Sequence, residues 1–395
     1  MALLSLAADW ARARGRRLIA VTVDHGLQPD SPDWSRRCRT AAEALGLDWI
    51  GRRWEGAKPT TGLTAAARDA RHALIAGVAH AVGARVILTG HTVDDVAEGD
   101  WMRSRPVENG GATLGRLRDW SPSPVWPEGR NLMLLRPLLT ERRAALRDLL
   151  RSLGRDWIED PANLDPRFGR SRARQALEAA LDGGAPVAPP PTRSETLTTP
   201  IRPLPFGLGF ETGRALPQAA LSALLVSASG GQTLPHGERL AALARRLASG
   251  QDFTATLSGA RLQATGERVT VGREPGELRR RAVAQTHLTP GVAAVWDGRV
   301  EAAVAEPGWR VTAASGLLNR LSDADRAALS VLPAWARGAA AVLIRDGADA
   351  PVLAGRIGQV RFLSPRRLNL ALSGFNYAFP GETTQEDGLF DGVHG

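Results

Sequence analysis

Residues 1–181 switch repeatedly between two hydrophobic periodicities, and this alternation constrains the fold more than any other feature. Leu3, Leu4, Leu6 and Ala7 recur at helical spacing, with Asp9, Arg12 and Arg16 between them, and Gly15 ends the pattern. Residues 18–23 then read as a short buried strand that stops at Asp24-His25-Gly26. A helical stretch near 33–46, a strand-like Trp49-Ile50 and the long helix "TAAARDARHALIAGVAHAVGA" follow. The apolar run Val86-Ile87-Leu88 suits a strand buried on both faces. A further helix starts near Asp94, "NLMLLRPLL" reads as a strand, and "TERRAALRDLLRSLG" reads as a helix with Thr140 as N-cap and Gly154 past its end. Strands alternating with helices imply an α/β fold, a parallel doubly wound sheet covered on both faces.

The remainder has a different texture. "DGGAPVAPPPTRSETLTTP" is rich in proline, glycine, serine and threonine, so 182–205 reads as a linker. Beyond it "LPQAALSALLVSA" and "HGERLAALARRLA" are helical. "DFTATLSGARLQATGERVTVGRE" carries three alternating strands joined by Ser-Gly and Gly-Glu turns. After about 290, short strands such as "RVEAAVA" mix with a helix near 322–329. The expected organisation is an α/β domain at 1–181, then α+β modules at 206–290 and 291–395.

Composition narrows the function classes. No apolar run approaches the roughly 18 residues that span a membrane, and the opening helix lacks the features of a signal peptide. A single cysteine, Cys38, excludes an intramolecular disulfide framework and cysteine-rich metal sites. A cytoplasmic location is the default expectation. The net charge of +9 is carried by arginine, since Lys58 is the only lysine, and it favours anionic partners such as phosphate.

Ligands of open parallel sheets sit at the carboxyl ends of the strands. Two polar clusters fall there: Asp24-His25-Gly26, and the run from Gly90 and His91 to Glu98. On a helix starting near Asp94, Asp94 and Glu98 are spaced i,i+4 and Asp95 and Glu98 i,i+3, so three carboxylates share one edge. Mg²⁺ or an amine substrate would offset their repulsion. Acidic residues also favour helix N-termini by capping and through the dipole. His25 and His91 equally suit local hydrogen bonding.

"VTVDHGLQPDS", "ARDARHALI", "LTGHTVDDVAEGD", "LLRPLL" and "WIEDPANLDPRFGRSRAR" occur in this order, with weaker agreement at "TLSGARL", "GREPGEL" and "WDGRV". Together they resemble the tRNA(Ile)-lysidine synthetase family of the PP-loop (N-type ATP pyrophosphatase) superfamily. The resemblance implies an adenine nucleotide α-hydrolase type of Rossmann-like fold and C-terminal domains that help grip tRNA. It implies ATP and Mg²⁺ as cofactors, and free L-lysine and an isoleucine tRNA with a CAU anticodon as partners. No membrane is involved, and a homodimer is left open. The reaction would adenylate the C2 oxygen of the wobble cytidine and then place lysine on C2, changing codon reading from AUG to AUA. Residue by residue, Asp24, His25, Gly90, His91 and Arg71 match positions beside the nucleotide. Arg68, Asp94, Asp95 and Glu98 match catalytic positions, with Asp94 also a candidate Mg²⁺ ligand. Arg167, Arg170, Arg172 and Arg174 match a basic segment suited to tRNA phosphates.

The resemblance departs in one important place. The family's first strand carries a Ser-Gly-Gly-x-Asp-Ser loop whose backbone N–H groups hold the ATP phosphates, and its aspartate is itself catalytic. No such loop occurs in this sequence; "SASGGQT" lies after a helix and lacks the aspartate. The resemblance makes the missing strand the sheet's central one, so a gap beside strand 18–23 is expected. A protein beginning at Met1 is expected to be inactive in adenylation, with the loop on an upstream extension. Val96 and Gly99 stand where the family has glutamine and threonine, and "RSRPVENGGATLGRL" is less regular than its counterpart. The alternatives are a degenerate, non-enzymatic tRNA-binding protein, or a related ATP pyrophosphatase acting on another base.

Overall fold

The computed structural model describes residues 1–104, 117–159, 165, 169–181, 195–280, 283, 285–372 and 375–376. The chain divides into two compact units, Met1–Pro191 and Thr192–Gly395.

The first unit opens on α1 (Ala2–Ala13), whose buried face consists of small residues: Ala2, Ser5, Ala7, Ala8 and Ala11. β1 (Ile19–Asp24), α2 (Ser31–Glu43), β2 (Asp48–Arg53), α3 (Leu63–Ala81), β3 (Val86–Leu88) and α4 (Val93–Arg103) follow in strict alternation. Then come β4 (Trp120–Pro122), β5 (Met133–Leu135), α5 (Arg143–Ser152) and α6 (Gly169–Leu181). β1 runs parallel to β2, with Ile19 opposite Asp48 and Asp24 opposite Arg53. β3 runs parallel to β5, and β4 closes back on β5 antiparallel.

Among the described residues no strand joins β1 to β3, so the sheet lies in two pieces, β1–β2 and β3–β5–β4. The facing edges of β1 and β3 therefore have no ladder partner there, the arrangement expected from a gap beside strand 18–23. This corrects one expectation. Val86 is 53% exposed, because β3 has a neighbour only on its β5 side and is not buried on both faces. Every residue of β1 is likewise only half-buried. α3 spans the division: its N-terminal turns meet β1 through His25, while Ala76 and Ala79 pack with Leu132 and Ile87 beside the second piece.

A second correction concerns α5. It begins at Arg143, not after Thr140, because residues 136–141 form turns closed by Leu139 N–H to Arg136 O and Glu141 N–H to Leu138 O. The orphan N–H of Arg143 is then capped from outside the helix, by Asp94 Oδ2 at 2.7 Å.

In the second unit, β6 (Glu195–Thr196) pairs with β19 (Phe375–Asn376). Residues 195–205 fall in the span read as linker, yet they bring β6 and β7 (Arg202–Pro203) into the unit and place Leu197 and Ile201 in its core. β7, β8 (Gly209–Thr212), β11 (Arg268–Arg273), β10 (Ala260–Thr265) and β9 (Phe253–Leu257) form one antiparallel sheet under α7 (Gln218–Ser229) and α8 (Glu238–Ala248). After α9 (Pro275–Arg280), strands β12 (Thr286–Leu288), β15 (Trp309–Ala313), β16 (Ala341–Arg345) and β17 (Val352–Leu353) form a second sheet. β13 (Ala294–Trp296), β14 (Val300–Ala303) and β18 (Gln359–Phe362) form a third. α10 (Asp323–Ser330), capped by Ser322 Oγ, and α11 (Ala334–Arg337) precede β16, and α12 (Leu363–Ala371) follows β18.

The span from 206 to 290 does not close on itself. Leu368 and Leu372 complete the core under α7, and Asp297 reaches back to Arg273. Asp297 lies buried between two buried guanidiniums, at 2.8 Å from Arg273 and 2.7 Å from Arg299. Asp297→Asn leaves both cations uncompensated and is expected to lower the stability of this unit by about 3–5 kcal/mol. The midpoint of urea unfolding, followed through Trp296, reads this directly; a loss under about 1 kcal/mol contradicts the role given to Asp297.

Candidate active site

The N-terminus of α4 organises the first unit's polar residues. Thr92 is its N-cap, and Asp95 Oδ2 accepts both the Thr92 N–H and the Thr92 hydroxyl at 2.8 Å. This reciprocal capping starts the helix and fixes the Asp95 rotamer. Helical spacing then brings Asp94, Asp95 and Glu98 to one edge, as the sequence reading expected.

That edge is occupied by arginines from α6 and from the N-terminal end of α5. Asp94 pairs with Arg142 at 3.1 Å and caps Arg143 N–H. Glu98, only 2% exposed, receives Arg143 at 3.1 Å and Arg174 Nε at 3.0 Å on the same oxygen. Its other oxygen, Oε2, has no hydrogen-bond partner among the described residues. Arg170 lies 3.5 Å from Asp95. Burial raises the Asp95 pKa, but the two Thr92 hydrogen bonds, Arg143 and His91 outweigh it and hold the carboxyl below its usual value. Both Asp94 oxygens thus face a guanidinium or an N–H, and among the described residues no three His, Cys, Asp or Glu converge on a metal position.

The second half of the site is cationic. Arg68 and Arg71 fall i,i+3 on α3, with His72 beside Arg71, and Arg68 and Arg71 have no hydrogen-bond or ion-pair partner among the described residues. Burial, then neighbouring arginines including Arg170, pull their pKa values below the usual guanidinium value. Arginine nevertheless keeps its charge. His72 is pushed down to about 3 by burial and then by Arg71 and Arg68. His91, bonded through Nδ1 to Thr89 Oγ1 at 3.0 Å, falls to about 4, with burial the main cause and Arg136, Arg170 and Arg71 adding to it against Asp95. Both imidazoles are therefore neutral at pH 7.

At the end of β1, Asp24 Oδ1 accepts Gly26 N–H at 2.7 Å and Ser31 Oγ–H at 2.6 Å. Burial raises its pKa, and these two bonds with Arg53 and His25 more than reverse the effect. His25 Nε2 lies 3.1 Å from Ala67 O and meets the Trp54 ring edge-on, while Lys58 caps the same ring at 4.2 Å. Burial and Arg71 lower the His25 pKa. Gly90 sits exposed at the end of β3, facing Leu3 of α1.

Of the basic segment, Arg170 and Arg174 turn toward the acids of α4. Arg172 lies two residues from each on the same helix, α6. Arg167 lies outside the described residues. Sequence reasoning missed Arg136, Arg142, Arg143 and His72. Arg136 had a signal, since it follows a strand directly; the pairing of Arg142 and Arg143 with α4 joins positions 45 to 49 residues apart and leaves no local pattern.

The PP-loop domain family matches residues 1–181. A tRNA(Ile)-lysidine synthase of Caulobacter vibrioides is 44% identical over 88% of this chain and 82% of its own length. One from Hyphomonas neptunium is 37% identical over 70% of this chain and 79% of its own length. Another, from Mesorhizobium japonicum, is 36% identical over 72% of this chain and 65% of its own length. Among the described residues no helix is long and apolar enough to cross a membrane.

The two neutral imidazoles give a pH dependence of definite sign. Their folded pKa values, about 3 and about 4, lie below the unfolded value of 6.5, so the unfolded state binds more protons in between. Stability from this source is complete above pH 6.5 and is lost as pH falls toward 4. The loss is on the order of a few kcal/mol in sum. Asp24 and Asp95, held low, lose their contribution only in more acid solution. The thermal midpoint should drop between pH 7 and 4.5, and His72→Gln should reduce that drop; a flat profile contradicts the assignment.

Proposed function

The chain belongs to the tRNA(Ile)-lysidine synthase family, and on that premise we propose that this site joins free L-lysine to C2 of the wobble cytidine of an isoleucine tRNA at the expense of ATP. One observation carries the reading. An edge of three carboxylates stands beside Arg68 and Arg71, which have no hydrogen-bond or ion-pair partner among the described residues, and Arg170 pairs with Asp95 while its charge reaches Arg68 and Arg71. Such a site takes an amine on one side and phosphate on the other.

In the first step the C2 oxygen of the base attacks the α-phosphorus of ATP, and the bond to the leaving pyrophosphate breaks. Arg68 and Arg71 balance the charge that collects on the departing phosphates, the kind of fixed electrostatic support that acts most strongly in a site shielded from water. Asp24, His25, Gly90 and His91 lie at strand ends and shape the nucleotide side. Mg²⁺ would neutralise charge on the phosphates of ATP, with Asp94 the carboxylate that would hold it. In the second step the side-chain amine of lysine attacks C2, the C2–O bond breaks and AMP leaves.

The ammonium of lysine must first find a carboxylate and then give up a proton. Asp94 is placed for this exchange, because its partner Arg142 is the more exposed guanidinium of the group. Asp95, held ionised by Thr92, contributes charge. Glu98, enclosed between Arg143 and Arg174, positions α4 against α5 and α6. Arg167, Arg170, Arg172 and Arg174 belong to the basic segment that suits tRNA phosphates.

The test is lysidine formation by the native protein purified from its source cells, with tRNA bearing a CAU anticodon. AMP release should require lysine. Asp94→Asn should raise the KM for lysine about tenfold or more and leave that for ATP unchanged. Arg68→Gln should lower kcat by about 10²–10³. AMP release without lysine, or a D94N defect confined to ATP, contradicts the proposal.

A further inference from the structure

At the end of β1 the chain holds a hydrogen-bond acceptor that no described residue uses. His25 follows Asp24 directly and is half-buried. Its Nε2 lies 3.1 Å from Ala67 O on α3. A carbonyl oxygen only accepts, so Nε2 carries the proton. Burial and Arg71, with Lys58 adding to them against Ala67 and Asp24, lower the pKa of the ring, which is neutral at pH 7. The lone pair of the neutral ring therefore stands on Nδ1, which has no hydrogen-bond partner among the described residues.

Besides Ala67 O, two contacts hold the ring. Trp54, the residue after β2, donates its N–H to Asp24 O at 2.8 Å, which ties it to the residue before His25. The indole and the imidazole meet edge-on, with centroids 6.5 Å apart and planes at 88°. Lys58, the only lysine of the chain, stands 4.2 Å from the indole centroid and donates to Trp54 O, so it clamps the indole. On the other flank, Asp24 Oδ1 accepts from Gly26 N–H and Ser31 Oγ–H. Gly26 turns the backbone there at φ +64°, a conformation that glycine adopts without strain. An acceptor fixed in this way loses little freedom when a donor arrives.

A fixed lone pair beside Arg71 and Lys58 selects its partner by exclusion. Carboxylate and ionised phosphate oxygens carry no proton to donate. A cation is repelled by the two neighbouring positive charges. A neutral N–H or O–H donor remains, in the crevice at the carboxyl end of the sheet where such folds take their ligands. On a nucleoside triphosphate, the exocyclic amine of adenine is such a donor, carried on the edge of a planar base that suits the aromatic wall of His25 and Trp54. Guanine presents an oxygen at the same position, whose lone pairs would face that of Nδ1.

We infer that His25 Nδ1 accepts a hydrogen bond from the 6-amino group of adenine and makes the site choose ATP over GTP, with Trp54 and Lys58 as positioning residues that hold the imidazole for it. The inference rests on the reaction proposed above for the presence of a nucleotide, and adds to it the group that reads the base. Trp54 and Lys58 act on the base only through His25.

The experiment is equilibrium competition on the native protein with ATP, GTP, inorganic tripolyphosphate, and purine riboside triphosphate, which lacks the 6-amino group. The unsubstituted protein should bind the purine analogue about tenfold more weakly than ATP, and GTP at least as weakly as the analogue. His25→Phe keeps a ring against Trp54 and removes the acceptor. It should bring the three nucleotides within about threefold of one another and leave tripolyphosphate unchanged. Trp54→Leu should lower the preference for ATP by about threefold or more with His25 in place, which provides the test even if H25F does not fold.

An unsubstituted protein that binds the analogue as tightly as ATP overturns the inference and leaves Nδ1 to a ribose hydroxyl common to both. A preference for ATP that survives in H25F overturns it too. So does an H25F defect confined to the tRNA, which assigns the acceptor to the amino group of a cytosine. The two readings fail separately. Lysine-dependent AMP release with no choice between ATP and the analogue removes the base contact and leaves the reaction standing. AMP release without lysine, with the preference for ATP lost in H25F, does the reverse.

Discussion

The Glu98 carboxylate, enclosed between Arg143 and Arg174, is the interaction on which the rest of the first unit's site depends. A carboxylate this deeply buried is costly unless it is paired, and its two partners arrive from different helices, α5 and α6. One buried charge therefore sets where three helices meet. Arg143 extends the tie, since its backbone N–H is capped by Asp94 while its side chain reaches Glu98. The acidic edge of α4, the start of α5 and the inward face of α6 form one electrostatic joint.

With the acids satisfied in this way, the cations of α3 are left without them, and charge is segregated across the site. Arg170 is the residue at the border. Its pairing with Asp95 is longer than the pairs around Glu98, and its own charge adds to the field at Arg68 and Arg71. Segregation of this kind suits a reaction that brings an amine and a phosphorylated base together. Burial first, and this field in addition, keep His72 and His91 neutral, so the neighbouring imidazoles offer hydrogen bonds without adding like charge to the arginine cluster.

Much of the fold was legible in the sequence, because period-2 and period-3.6 patterns report backbone geometry directly. The strands at β1, β9, β10 and β11 and the helices α7, α8 and α10 lie where those patterns put them. The start of α5 was not legible: Thr140 has the chemistry of a cap, but a carboxylate 49 residues earlier performs the function. β4 escaped notice because three residues, Trp120 to Pro122, are too few to show a period. Within the site, helical spacing was enough to gather Asp94, Asp95 and Glu98, and to place Arg68 with Arg71. Spacing could not reveal which arginines neutralise those acids. Arg170 and Arg174 belong to a run that reads as an RNA contact, and only tertiary structure turns two of its members toward α4.

The measurement that tests this account most directly is a double-mutant cycle on the unfolding free energy of the first unit, using Glu98→Gln, Arg174→Gln and the pair together. A buried joint requires the two losses to be coupled, by about 2 kcal/mol. Additivity within about 0.5 kcal/mol would mean that Glu98 and Arg174 do not hold α4 to α6. The segregation of charge built on that contact would then have no foundation.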